Sequence, residues 1–149
     1  MKVDHKKVAV QLFNATWDLI EKKDRSTDEN LKMLHMAHAS RYHWGEIGTP
    51  LEFNRGEWQI SRVYCLLNHG ESALFHGKNA LRYCLDHQIG DFDLAFAYET
   101  IARASAVLGD EVKVKYYIEK AVEASKSIEK PEDLNYFMSE LENVPGYFL

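Results

Sequence analysis

Apolar residues recur along this chain every three or four positions, in segments separated by short turns. The first segment, about residues 4–22, places Val8, Leu12 and Leu19 on one stripe of a helix. No segment alternates cleanly between apolar and polar residues over the length of a strand. The pattern therefore predicts an all-α protein.

Start and stop signals divide the chain into about seven helices. Ser26 and Glu29 have the spacing of a capping box, and Thr49 stands before Pro50 as a helix cap does. Asp91 is expected to cap the fifth helix. The predicted helices cover about 4–22, 27–44, 50–68, 71–87, 91–108, 111–127 and a stretch from 131 to before 145.

The length of 149 residues is that of a single domain with one core. Short turns between consecutive helices favour antiparallel helical hairpins. We expect an N-terminal helix in 1–25, three helical hairpins in 26–127, and a closing helix with a tail in 131–149.

An internal repeat supports this organisation. Small residues at Ala80 and Ala121, with similar neighbours, lie 41 positions apart, and we expect both to be packed closely between helices. A fainter match sets residues 37–40 beside 102–105, each on the first helix of its hairpin.

The segment 98–121 carries aromatic, aliphatic, small, turn and small residues in a fixed order. They are Tyr98, Ile101, Ala102, Ser105, Leu108, Gly109, Asp110, Val114, Ile118 and Ala121. This order resembles the tetratricopeptide repeat superfamily, best over 92–124. The resemblance implies hairpins stacked as a short right-handed superhelix, whose concave groove is lined by the first helix of each pair.

The chain departs from that pattern in places. Glu57 stands where an aromatic residue is usual, Gly77 stands where a bulky one is usual, and the 41-residue spacing exceeds the usual ~34. Residues 37–44 and 57–64 also resemble a bacterial family without an assigned function, which implies no activity.

The repeat register predicts which side chains face the groove, since Arg103 corresponds to Arg62 and, less clearly, to His38. The candidate groove residues are His38, Arg41, Tyr42, Trp58, Arg62, Glu99 and Arg103. The planar guanidinium group of arginine is suited to bind a carboxylate of a ligand, and a tryptophan ring adds contact area. We expect a non-catalytic module that binds a peptide or protein segment in this groove.

Three alternatives remain open from the sequence. Arg62 and Arg103 could pair instead with the interior carboxylates of Glu57 and Glu99. A small-molecule pocket or an enzyme could be centred on His38, Arg41, Trp58 and Arg62. An assembly protein, such as a homodimer, could use its convex face or the apolar tail 145–149.

Composition narrows the function classes. With 18 basic and 23 acidic residues the net charge is −5, which disfavours non-specific nucleic acid binding. No apolar run approaches the ~20 residues of a membrane span, and the start does not resemble a secretory signal. Cys65 and Cys84 are too few for a disulfide scaffold, so we expect a cytoplasmic protein with reduced thiols.

Signals for catalysis or cofactors are weak. His35 and His38 are neighbours on one helix face, but His43 is rotated away from them, so no bound metal is expected. No P-loop, nucleophile elbow or dinucleotide fingerprint occurs, and we expect no cofactor. Cys65 and His38 could form a nucleophile and base pair across the groove, since the register turns both toward it.

Overall fold

The protein is all-helical, as predicted. The structure, a computed structural model, describes residues 2–148, and over these residues it has seven α-helices and no β-strand. The helices are α1 (His5–Glu21), α2 (Thr27–Ile47), α3 (Pro50–Leu66), α4 (Gly70–Asp86), α5 (Asp91–Val107), α6 (Glu111–Ser125) and α7 (Pro131–Glu142). No helix among them is both long enough and apolar enough to cross a membrane.

Two helices begin at the predicted caps. Ser26 Oγ accepts a hydrogen bond from the backbone nitrogen of Glu29 (3.1 Å), and the Glu29 carboxylate accepts one from the backbone of Ser26 (2.9 Å). At the start of α3, the Glu52 carboxylate accepts from the backbone of Thr49 (3.1 Å). These bonds satisfy backbone donors that a helix start otherwise leaves free.

Asp91 does not cap α5 as expected. It is the first residue of the helix and has a φ of 54°, in the left-handed region. Its carboxylate accepts from the backbone of Phe92 (2.6 Å) and of Glu129 (3.4 Å). Asp91 therefore links the start of α5 to the connection between α6 and α7.

The helices pack in consecutive pairs: α1 with α2, α3 with α4, and α5 with α6. The first helices of the pairs also touch one another in the order α1, α3, α5, followed by α7. Because α1 pairs with α2, it does not stand apart from the hairpins as expected. The expected equivalence of 37–40 with 102–105 also fails, since α2 is the second helix of its pair and α5 is the first.

Buried apolar residues form the contacts between these pairs. The largest group joins α5, α6 and α7 and includes Ile118, Ala121, Phe137 and Leu141, all fully buried. Ala80 is also fully buried, in a smaller group with Cys84 and Ala97. The prediction that Ala80 and Ala121 pack closely between helices is confirmed.

Gly77, the departure from the repeat pattern, marks a close approach of helices. A Cβ atom at this position would lie 3.2 Å from side-chain atoms of Thr100 and Ile101 and 3.3 Å from the hydroxyl of Ser61. Ser61 Oγ and Thr100 Oγ1 are themselves 2.7 Å apart. A bulky residue at position 77 would therefore push α4 away from α3 and α5.

Replacing Ala121 by leucine should destabilise the fold, because three carbon atoms would be added at a fully buried position in the core that α5, α6 and α7 share. We expect Ala121→Leu to lower the free energy of unfolding by about 1–3 kcal/mol. Glu119→Leu, on the exposed side of the same helix, serves as the control and should change it far less. Chemical denaturation measures both, and an Ala121→Leu curve that matches the parent would contradict the packing.

Candidate binding groove

The seven predicted groove residues do not form one groove. His38 and Arg41 contact one face of α3, through Tyr64 and Glu57. Trp58 and Arg62 lie on another face, toward α1, α5 and α7. The small-molecule site centred on His38, Arg41, Trp58 and Arg62 is therefore not assembled as expected.

Arg41 belongs to a network that joins α2, α3 and α4. Its Nε donates to Glu57 Oε2 (2.9 Å), and its Nη2 donates to the hydroxyl of Tyr83 (3.2 Å). The other oxygen of Glu57 bonds to His76 Nδ1 (2.9 Å) and accepts from Asn79 (3.2 Å). The guanidinium and the carboxylate thus satisfy each other inside the fold, which leaves Arg41 unsuited to hold a ligand carboxylate.

Two pKa shifts follow from this network. Burial by itself would raise the pKa of Glu57, but the hydrogen bond and charge of His76, the charge of Arg41 and the Asn79 bond outweigh it and lower the pKa. Burial lowers the pKa of His38, the charge of His76 lowers it further, and Glu57 only partly opposes them. His38 Nε2 lies 3.0 Å from the Tyr64 hydroxyl, so a neutral ring has its polar partner in place.

Arg62, Glu99 and Arg103 form a second network, and it is buried rather than open to a groove. Arg103 Nε donates to Glu99 Oε2 (2.7 Å), and Arg62 Nη1 lies 3.9 Å from the same oxygen. The Glu99 side chain is 0% exposed, and those of Arg62 and Arg103 are 13% and 12% exposed. The prediction that these three residues line a groove is wrong. Arg62 and Arg103 instead pair with the interior carboxylate of Glu99, as the first of the three alternatives had it.

A fourth member, Glu140 of α7, was missed from the sequence. Arg62 Nη2 donates to its carboxylate (3.2 Å), and Arg103 Nη2 donates to its backbone oxygen (2.9 Å). Burial by itself would lower the pKa of Arg62, but the charges of Glu99 and Glu140 outweigh it and raise the pKa. The network therefore ties α7 to α3 and α5.

Tyr42 lies apart from both networks. Its side chain is 63% exposed, and its ring stands edge-on to that of His43, with centroids 5.4 Å apart. A hydrogen bond to the carboxylate of Glu46, and its charge, raise the pKa of the phenol. Tyr42 is a surface residue of α2 and does not share a groove with Trp58.

The structure gives no support to the arrangement of Cys65 and His38 as nucleophile and base. Burial raises the pKa of the Cys65 thiol to about 12, so almost no thiolate exists at neutral pH. The ring of His38 instead has Tyr64 as its polar partner. Among residues 2–148, no three His, Cys, Asp or Glu side chains are placed to share a metal ion.

An aromatic cavity of about 330 Å³ opens between α1, α3, α5 and α7. Its lining residues are Phe13, Trp17, Asn54, Arg55, Trp58, Phe92, Asp93, Phe96 and Tyr136. Of the seven predicted groove residues, only Trp58 belongs to it. The cavity lies on the face where the first helices of the pairs meet.

Ring contacts hold the walls of this cavity together. Trp58 packs against Trp17 and Phe96, each with ring centroids 5.5 Å apart. Phe96 also packs against Phe92 (4.6 Å) and Tyr136 (5.9 Å). Such tilted and edge-on pairs are the favoured geometry for aromatic rings. The indole Nε1 of Trp58 is buried and has no hydrogen-bond partner among the described residues.

Arg55 and Asp93 form the polar edge of the cavity. Arg55 Nε and Nη2 donate to the two carboxylate oxygens of Asp93, at 2.9 and 3.0 Å. The Arg55 side chain is 52% exposed, so the pair stands at the surface. Because its charges cancel at short range, the edge of the cavity is polar but close to neutral.

Two further depressions adjoin the aromatic cavity and share lining residues with it. One contains Lys6, Val10, Phe13, Asn14, Trp44, Glu52 and Arg55. The other contains Arg55, Asp91, Phe92, Asp93, Glu129, Lys130 and Asp133. Arg55 belongs to all three. The three adjoining depressions lie across α1, α3, α5 and α7 and reach Trp44 of α2, and together we call them the aromatic groove.

A sequence signal for the aromatic groove exists. Phe13 and Trp17 are four residues apart on α1, and Phe92 and Phe96 are four apart on α5. Residues at this spacing share a helix face. Once α1 is known to pack beside α3 and α5, the two aromatic residues on α1, the two on α5 and Trp58 on α3 indicate one common aromatic surface.

Removing both buried arginines should unfold much of the domain, because Glu99 would be left without a partner in a water-free setting. We expect Arg62→Ala with Arg103→Ala to cost about 3–5 kcal/mol of unfolding free energy. Arg82→Ala, which breaks an exposed pair with Asp86, should cost under about 1 kcal/mol. Thermal and urea melts measure both, and a double variant as stable as the parent would refute the buried network.

His38 should make stability depend on pH. Its pKa in the folded state lies below the ordinary 6.5, so protonation favours the unfolded chain. The stabilisation that neutral His38 contributes is therefore complete above pH 6.5, and it is lost as the pH falls through the lowered pKa of the folded state. We expect His38→Gln to flatten the loss of unfolding free energy between about pH 7.5 and pH 5.5. His87→Gln, at an exposed position, is the control, and equal slopes in all three proteins would contradict the assignment.

Comparison with known proteins gives no relative from which a role could be transferred. No protein-family model, no curated protein and no solved structure matches this chain. The assignment of function therefore depends on the groove itself.

Proposed function

We propose that this protein is a non-catalytic helical-repeat module of the tetratricopeptide type, and that it binds a peptide or protein segment along the aromatic groove. The observation that carries the proposal is a continuous set of depressions: the aromatic cavity shares lining residues with two further depressions, and the three together contact five helices. An extended segment fits such a surface, with one side chain in the cavity as its anchor.

The order of helix contacts supports the repeat assignment. Consecutive pairs place α1, α3 and α5 side by side, and α7 continues the series. In a right-handed superhelix of such pairs, the first helices line the concave side. The cysteines are unpaired, which agrees with work in the cytoplasm, where thiols stay reduced.

The binding residues differ from those expected from the repeat register. The anchor site is Trp58 with the rings around it, while Arg62, Glu99 and Arg103 hold the helices that carry those rings. The cavity walls offer large rigid apolar area at small cost in side-chain entropy, as interface anchor sites do.

A second candidate function is the binding of a small aromatic molecule in the same cavity. Its volume of about 330 Å³ supports this candidate, because ligand sites usually measure ~300–1,000 Å³. The two candidates differ in extent: a small molecule would need the cavity alone, whereas a segment would also contact the depressions on either side.

Tyr136→Ala should weaken peptide binding, because it removes one wall of the cavity while changing a residue that is 45% exposed. Peptides selected from a random library on the immobilised full chain should lose about tenfold or more in affinity for this variant. Tyr116→Ala is the matched control, since that ring is 51% exposed on α6, outside the groove. Fluorescence anisotropy measures the affinities.

The outcomes separate the candidates. Equal binding to the parent and to Tyr136→Ala, with both folded by circular dichroism, would remove the cavity from the site. A parent that selects no peptide but binds indole, and loses it in Tyr136→Ala, would favour the small-molecule function.

A further inference from the structure

Charge is distributed unevenly along the aromatic groove. At its centre, Arg55 and Asp93 bind each other through two hydrogen bonds and cancel. The cavity beside them is otherwise walled by aromatic rings and by the uncharged amide of Asn54. A charged side chain would lose its hydration there without gaining an opposite charge, so the centre accepts an uncharged aromatic or aliphatic side chain.

The α5–α7 end of the groove is acidic. Beyond the Arg55–Asp93 pair, its ionisable lining consists of Asp91, Glu129 and Asp133 with a single cation, Lys130. None of these three carboxylates forms an ion pair within the part of the chain that the structure describes. Asp91 accepts two backbone hydrogen bonds, which leave its negative charge in place.

The end of the groove beside α1 and α3 carries less negative charge. Its ionisable lining is Lys6 and Glu52, besides Arg55. Glu52 already accepts from the backbone and side chain of Thr49 at the start of α3. This end is therefore close to neutral, and the groove becomes more negative from α1 toward α7.

We propose that the occupant of the aromatic groove is a basic peptide segment: an uncharged aromatic or aliphatic residue fills the cavity, and a neighbouring lysine or arginine lies against Asp91, Glu129 and Asp133. This inference rests on the proposed function and adds the chemistry and the direction of the bound segment. Opposite charges at the edge of an interface mainly set specificity and the association rate, and salt weakens them.

The test uses the full chain and a random-peptide library selected in parallel on the parent and on Glu129→Lys with Asp133→Lys. Glu119→Lys with Glu123→Lys, which adds the same charge at exposed positions of α6, is the control. The parent and the control should enrich lysine or arginine next to an aromatic or aliphatic anchor, and the groove variant should lose that enrichment. Replacing the basic residue of a selected peptide by glutamate should weaken binding to the parent about tenfold at low salt, with a smaller effect at about 0.5 M salt.

Each outcome decides one point. Equal enrichment on the parent and on the groove variant would overturn the basic segment while leaving the proposed function intact, provided that Tyr136→Ala still weakens binding. Selection of no peptide by the parent would overturn both. A parent that sediments as a dimer and becomes a monomer in Tyr136→Ala would assign the groove to a second copy of this chain and overturn the inference.

Discussion

The relative positions of the helices in this protein depend on the ion pairs of one buried carboxylate, that of Glu99. It lies fully buried in α5 and takes its hydrogen bond from Arg103 on the same helix, with Arg62 of α3 close by. The same two arginines reach Glu140 of α7. A buried charge is tolerated only with partners in place, so this network requires α3, α5 and α7 to keep one relative position. Those helices carry Trp58, Phe96 and Tyr136, which are walls of the aromatic cavity.

The central helix α3 separates two kinds of chemistry. One face carries Glu57, whose carboxylate gathers Arg41 of α2 with His76 and Asn79 of α4. Another face carries Trp58 and turns toward α1 and α5. The Glu57 network is satisfied within the fold and serves packing, whereas the aromatic face leaves an open cavity. This contrast is the physical reason for placing binding on the aromatic face.

Hydrogen bonds from neighbouring residues hold parts of the groove wall in place. Gln59 of α3 donates to the backbone oxygen of Phe13 on α1 (3.0 Å), next to the cavity. Cys84 of α4 lies 3.4 Å from the Asn54 side-chain oxygen, at another part of the lining. Because these contacts lie within the chain itself, they help to fix the cavity walls, and preorganisation of this kind lowers the cost of binding.

The sequence by itself determined the local structure. Capping pairs such as Ser26 with Glu29 and the helical spacing of apolar residues act over a few positions, so the seven helices and the burial of Ala80 and Ala121 were predictable. The tertiary structure decided which charged residues contact each other. Arg62 and Arg103 donate hydrogen bonds to Glu140, which is distant in the sequence, and Arg41 donates one to Glu57. It also decided that α1 pairs with α2, which brings Phe13 and Trp17 to Trp58. Contacts between helices depend on how whole faces pack, and residue spacing within one helix does not specify that.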